Sequence, residues 1–232
     1  MKRNQDTECE TRIAKHMAMF EHFVPILSCK KTKTEIELEM PKMQRTLLDQ
    51  LIKVRLGKPF RLRETARLFR QMLQGIKTMH EQGYVHKDIK LENILWQDGT
   101  IYFTDFQFSR RFIPKVATLN DGLGSLHYAA PELWIKLLYV GPEVDIWSLG
   151  VCLYVMTTGV FPFAGDTSQQ VFESMCTTNK TRLRFPRGTC RSTRLRNLIR
   201  RMLTFDISRR ITIAQIETHP FVNGRSLSSF HS

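Results

Sequence analysis

Residues 146–163, IWSLGVCLYVMTTGVFPF, carry no charged side chain. A stretch of that length has to leave water, either across a bilayer or into the middle of a protein core. Ser148, Gly150, Thr157, Thr158, Gly159 and Pro162 interrupt it, and the Gly-Val-Phe-Pro break ends a helix early. The run therefore predicts a buried core helix over about 144–157, with no membrane span. Everything else in the chain has to be built around that helix.

The remaining composition allows this. A chain of 232 residues with 42% hydrophobic content is long enough for one large domain or two small lobes. The five cysteines, Cys9, Cys29, Cys152, Cys176 and Cys190, form no CxxC pair. They suggest neither a zinc site nor a disulfide framework, which fits a reducing, intracellular setting, cytoplasmic or nuclear. The opening MKRNQDTECETR has no apolar stretch of the kind that directs export. A net charge of +13 favours acidic partners at long range. The densest basic stretch, residues 181–201, matches no nucleic-acid motif and reads as solvated helix faces.

Along the chain, residues 7–21 read as a helix. FVPILSC (23–29) and TEIELEM (34–40) read as two strands around the polar turn KKTK. Pro41 marks a change. Beyond it come a short helix at 44–52 and a long one at 62–83 with Gly83 as its stop, then loops and very short strands, then helices near 144–157, 167–177, 192–204 and 212–217. This predicts a front segment 1–40, a back portion 41–225 and a tail 226–232.

At the junction of the two parts lie YVHKDIKLENILW (84–96) and IYFTDFQ (101–107). Asp88, Asn93 and Asp105 around Lys90 are the groups that phosphoryl transfer requires: oxygen ligands for a divalent metal, a cation for the transferred group and a carboxylate for the accepting hydroxyl. HKDIKLEN resembles the catalytic loop of eukaryotic protein kinases, H-R-D-L-x-x-x-N, and DFQ resembles their D-F-G. GSLHYAAPEL (124–133) resembles the end of their activation segment, and DISRR (206–210) offers Arg210 as a buried partner for Glu132. Together with YVGPEVDIWSLGVCLYV the wording is most similar to the AMP-activated and microtubule-affinity-regulating kinases of the calmodulin-dependent group. The resemblance covers about residues 8–223.

That resemblance implies an α+β, two-lobed protein-kinase-like fold, with a reduced front lobe of one helix and two or three strands and a complete, mainly helical back lobe. It implies a serine/threonine protein kinase that uses ATP and Mg2+. Asp88 would orient the substrate hydroxyl, Lys90 would contact the transferred phosphate, and Ser125 would steady both. Asn93 and Asp105 would hold the metal, while Glu39 and Met40 would lie against the adenine. Asp145 would accept backbone hydrogen bonds from the catalytic loop, and His86 would be a packed scaffold residue. Glu92 resembles the acid with which related kinases favour basic residues near the target of a protein substrate.

The pattern also departs from the family. No glycine precedes Gly57, so the G-x-G-x-x-G hairpin and its following lysine are missing. Lys15 reads as an exposed helix residue, and counting back from His22 puts Ile13, not Glu8 or Glu10, at the helix position that usually pairs with that lysine. Gln107 replaces the D-F-G glycine, and Lys87 replaces the H-R-D arginine; Asp121 stands where related kinases carry an activating threonine, which suggests an Asp121–Lys87 pair. Alternatives to an active kinase are a pseudokinase serving as a binding module, a binder of phosphate-rich ligands, and a chain whose front lobe is completed by a partner.

Overall fold

The computed structural model describes residues 2–32, 36–112, 125–135 and 141–224. Asp121, Gly124 and the tail 226–232 lie outside them. Helix α1 (Lys2–Met17) packs inward through Ile13, Ala14 and Met17 while Lys15 is exposed, as its helical spacing demands. Strands β1 (Ser28–Lys31) and β2 (Ile36–Glu39) form an antiparallel hairpin with Ser28 opposite Glu39.

The first strand is thus displaced from the expected 23–29. Phe23 and Val24 are buried elsewhere: Phe23 bridges in parallel to Phe103, Val24 N–H donates to the Phe103 carbonyl at 3.2 Å, and Phe103 N–H donates to the His22 carbonyl at 2.8 Å. Pro25 then separates this contact from the hairpin. The front segment is sewn directly to the strand that leads to Asp105.

The expected helix over 44–52 is also different. It opens as strand β3 (Arg45–Thr46), becomes α2 (Leu47–Asp49) with a Thr46–Asp49 capping box, and continues as a single π-helical turn, Gln50–Val54. The long helix α3 (Leu62–Glu81) matches expectation and ends at Gly83, whose φ of 79° supplies the left-handed stop. Next come β4 (Tyr84–Val85), β5 (Ile94–Gln97), β6 (Thr100–Phe103) and β7 (Arg110–Arg111). β5 and β6 pair antiparallel across Asp98-Gly99, both at positive φ, with Ile94 opposite Phe103.

The back of the molecule is helical: α4 (Pro131–Trp134), α5 (Glu143–Thr158), α6 (Ser168–Thr181), α7 (Thr193–Met202) and α8 (Ile213–Glu217). α5 carries the uncharged run after Glu143 and Asp145 in its first turn, and every residue from Val144 to Thr158 is buried. Its hydroxyls return to backbone carbonyls: Ser148 to Val144 and Tyr128, Thr157 to Leu153, Thr158 to Tyr154. Gly150 lets α7 approach, because a Cβ there would lie 2.9 Å from that of Met202. No helix among the described residues is long and apolar enough to cross a membrane.

The basic stretch 181–201 is only partly solvated. Arg196 and Arg200 stack on the Phe185 ring, at 5.4 and 5.1 Å, and donate to backbone carbonyls of Cys190 and Leu183.

Arg210 fixes the start of α5 from behind. Its guanidinium donates to both Glu132 oxygens, at 2.5 and 2.9 Å, and to the Glu143 carbonyl at 2.8 Å, and lies over the Trp147 ring. Arg210 and Glu132 are both buried. Replacing Arg210→Ala strands a buried carboxylate and is expected to cost about 3–5 kcal/mol in equilibrium denaturation; a loss under about 1 kcal/mol, as for a surface pair, would contradict this role.

Candidate active site

The loop between β4 and β5 is suspended from a single carboxylate. Asp145 Oδ2 accepts the N–H of His86 and Oδ1 accepts that of Lys87, both at 2.9 Å. His80, in the last turn of α3, places Nε2 2.7 Å from Oδ2. A carboxylate only accepts, so that ring carries its proton on Nε2. Burial alone would push the Asp145 carboxyl up; the hydrogen bond from His80, the neighbouring imidazoles and the His86 N–H outweigh it and hold it below the ordinary range. Held this way, Lys87 adopts a left-handed φ of 67° and turns the chain toward Asp88.

Asp88 is buried, and burial acts to raise its pKa. Hydrogen bonds from Lys90 and Ser125 prevail and hold the carboxyl below its usual value. Lys90 Nζ donates to Asp88 Oδ2 and to Ser125 Oγ, each at 2.8 Å, and Ser125 N–H donates to Asp88 Oδ1 at 2.9 Å. Asn93 donates through Nδ2 to the carbonyl and Oδ2 of Asp88, both at 3.0 Å, and to Asp105 Oδ2 at 3.3 Å.

The β5–β6 hairpin explains why Asn93 and Asp105 meet despite their separation. Ile94 faces Phe103, so Asn93 faces Thr104, whose N–H donates to the Asn93 carbonyl at 3.1 Å. Asp105 follows with φ 64°. Gln107 does not share that left-handed backbone, so the missing D-F-G glycine imposes no strain in this conformation; its N–H donates to Asp105 Oδ1 at 3.4 Å.

The structure therefore gathers Asp88, Lys90, Asn93, Asp105 and Ser125 into one hydrogen-bonded group. Glu39 and Met40 are exposed and lie outside that network. Glu39 accepts from Ser28 Oγ at 2.6 Å and gives its carbonyl to the Leu27 N–H at 2.8 Å. Asp121 lies outside the described residues, so the Asp121–Lys87 pair has no geometry.

His80 belongs to the site without having been singled out. Burial raises the Glu10 carboxyl, the charge of Asp105 raises it further, and Arg110 opposes them. Glu10 shares a helical stripe with Ile13, Ala14 and Met17. Ile13 is fully buried. His86 packs between Phe103 and Phe106 with neither ring nitrogen partnered, as a scaffold residue does.

The protein kinase domain model matches residues 1–222. The chain belongs to the protein kinase family. It is of the serine/threonine type: the chain is 32% identical over 220 residues to mouse sperm motility kinase Z, covering 93% of this chain and 43% of that protein. It is 32% identical over 229 residues to calcium-dependent protein kinase 29 of Arabidopsis thaliana, covering 97% and 42%. A probable serine/threonine-protein kinase of Dictyostelium discoideum, MARK-B, is 38% identical over 162 residues, covering 69% and 22%. The chain spans less than half the length of each of these relatives.

In this kinase domain the acid limb of stability divides into two windows. Asp88 and Asp145 sit below their unfolded values, so the stability they contribute is present above about pH 3.9 and is lost as pH falls through their folded values. His86 acts higher: burial lowers its pKa, and the unfolded ring takes up a proton below about pH 6.5 that the folded ring refuses. Replacing His86→Phe is expected to reduce the fall in Tm between about pH 7.5 and pH 5.5; an unchanged fall would show that His86 is not the titrating group.

Proposed function

We propose that the domain transfers the γ-phosphoryl group of ATP to a serine or threonine hydroxyl of a protein substrate. The observation that carries this reading is the single network joining Asp88, Lys90, Asn93, Asp105 and Ser125. Asp88, kept ionised by Lys90 and the Ser125 N–H, would orient the accepting hydroxyl and receive its hydrogen bond. Lys90 would shift from Asp88 toward the transferred group as negative charge gathers on its oxygens.

The donor set fits Mg2+. Asn93 spends its amide nitrogen on Asp88 and Asp105, which leaves its amide oxygen as a hard ligand beside the Asp105 carboxylate. When bound, the metal would neutralise phosphate charge and fix the direction of transfer. Glu92, half-buried, would meet a basic residue of the substrate. We assign the front segment 1–40 to the nucleotide side and 41–225 to the substrate side. The five cysteines are free, which supports a reducing compartment, cytoplasmic or nuclear, where ATP is available.

A second reading, binding without transfer, draws support from Glu39. The carbonyl and carboxylate expected beside the adenine are both engaged within the β1–β2 hairpin. Transfer of labelled γ-phosphate to a basic protein substrate with Mg2+ separates the two. The first reading expects incorporation that falls on the order of 100-fold or more in Asp88→Asn. Equal, background-level label in both proteins would establish the second.

A further inference from the structure

A cavity of about 400 Å³ opens on the back lobe, between the end of α3, the start of α5 and α8. That volume lies in the range of small-molecule sites. Its floor is apolar, formed by Pro142, Ile146, Ile213 and Ala214. Its rim is acidic: Glu81, Glu143 and Glu217 stand against one cation, Lys77, and Lys77 is already bound to Glu217 at 2.7 Å.

Two residues of the wall hold buried polar atoms without partners, Glu143 Oε2 and His80 Nδ1. An unsatisfied buried carboxylate oxygen is costly, and it calls for a donor with several hydrogens.

We propose that this cavity binds a small protonated amine with an apolar body, its ammonium taken by Glu143 and the acidic rim and its body lying on Ile146 and Ile213. The site is remote from the transfer residues in chemistry but joined to them by bonds. His80 and the N–H groups of His86 and Lys87 share the Asp145 carboxylate, and the Glu143 carbonyl is held by Arg210. Occupancy therefore tightens the suspension of the catalytic loop. The binding stands whether or not the domain transfers phosphate.

Calorimetric titration of the full chain with phenethylamine, and with phenethyl alcohol as the uncharged match, tests it. Saturable amine binding is expected, roughly tenfold tighter than that of the alcohol, because a hydrogen bond to a charged partner is the stronger kind. Glu143→Gln, which keeps the side-chain shape, should remove that preference, and Ile213→Trp should fill the cavity and abolish binding of both probes. In the same samples hydrogen exchange at the His86 and Lys87 amides should slow with amine. Absence of saturable binding, equal affinity for amine and alcohol, or amine binding that survives both substitutions would overturn the proposal; unchanged exchange on saturation would overturn the coupling. Matching Tm values for the variants and the parent protein exclude misfolding as the cause of a loss.

Discussion

The carboxylate of Asp145 fixes the backbone where the catalytic loop begins. Three donors converge on that group: the ring of His80 and the backbone N–H groups of His86 and Lys87. Without them the carboxylate would be an uncompensated charge in a core; with them it is fully accounted for, and the backbone is forced through the left-handed turn at Lys87. The direction of Asp88 follows from that turn, and the contacts of Lys90, Asn93 and Ser125 follow from Asp88. A helix buried on every side is needed to present such a carboxylate without water, which is why the uncharged run of α5 and the site depend on each other.

Two more devices keep the arrangement rigid. The β5–β6 hairpin sets the distance between Asn93 and Asp105 by strand register, so its Asp98-Gly99 turn determines how closely these two side chains approach. Arg210 fixes the same end of α5 from behind, pairing with Glu132 while holding the Glu143 carbonyl. Asp145 and the Glu132–Arg210 pair are thus buried charges that have partners and that orient backbone. The front segment joins this arrangement through its attachment to Phe103 and through Ile13 and Met17, which are buried in the same core.

Much of this was legible in the residues. The uncharged run required burial, and α5 is buried throughout; Glu132 with Arg210, and Asp145 with the catalytic loop, were named from motif wording and are bonded as expected. Strand boundaries were not legible, because FVPIL is as apolar as any strand, and only the contacts of Phe23 and Val24 with Phe103 show that it serves as a strap. The π-turn after Asp49 breaks helical spacing in a way that no local residue announces. His80 lies at an ordinary helix end, and its role exists only because α5 passes beside it. Glu10 carries one helical-face signal, which was outweighed by counting from His22.

Asp145 suspends the start of the catalytic loop. Amide hydrogen exchange in Asp145→Asn tests it most directly, since the carboxamide keeps the volume and one acceptor oxygen but loses the second. The account predicts that protection at His86 or Lys87 falls sharply while protection in the middle of α3 stays unchanged. Equal protection at both amides in the variant and the parent protein would contradict it.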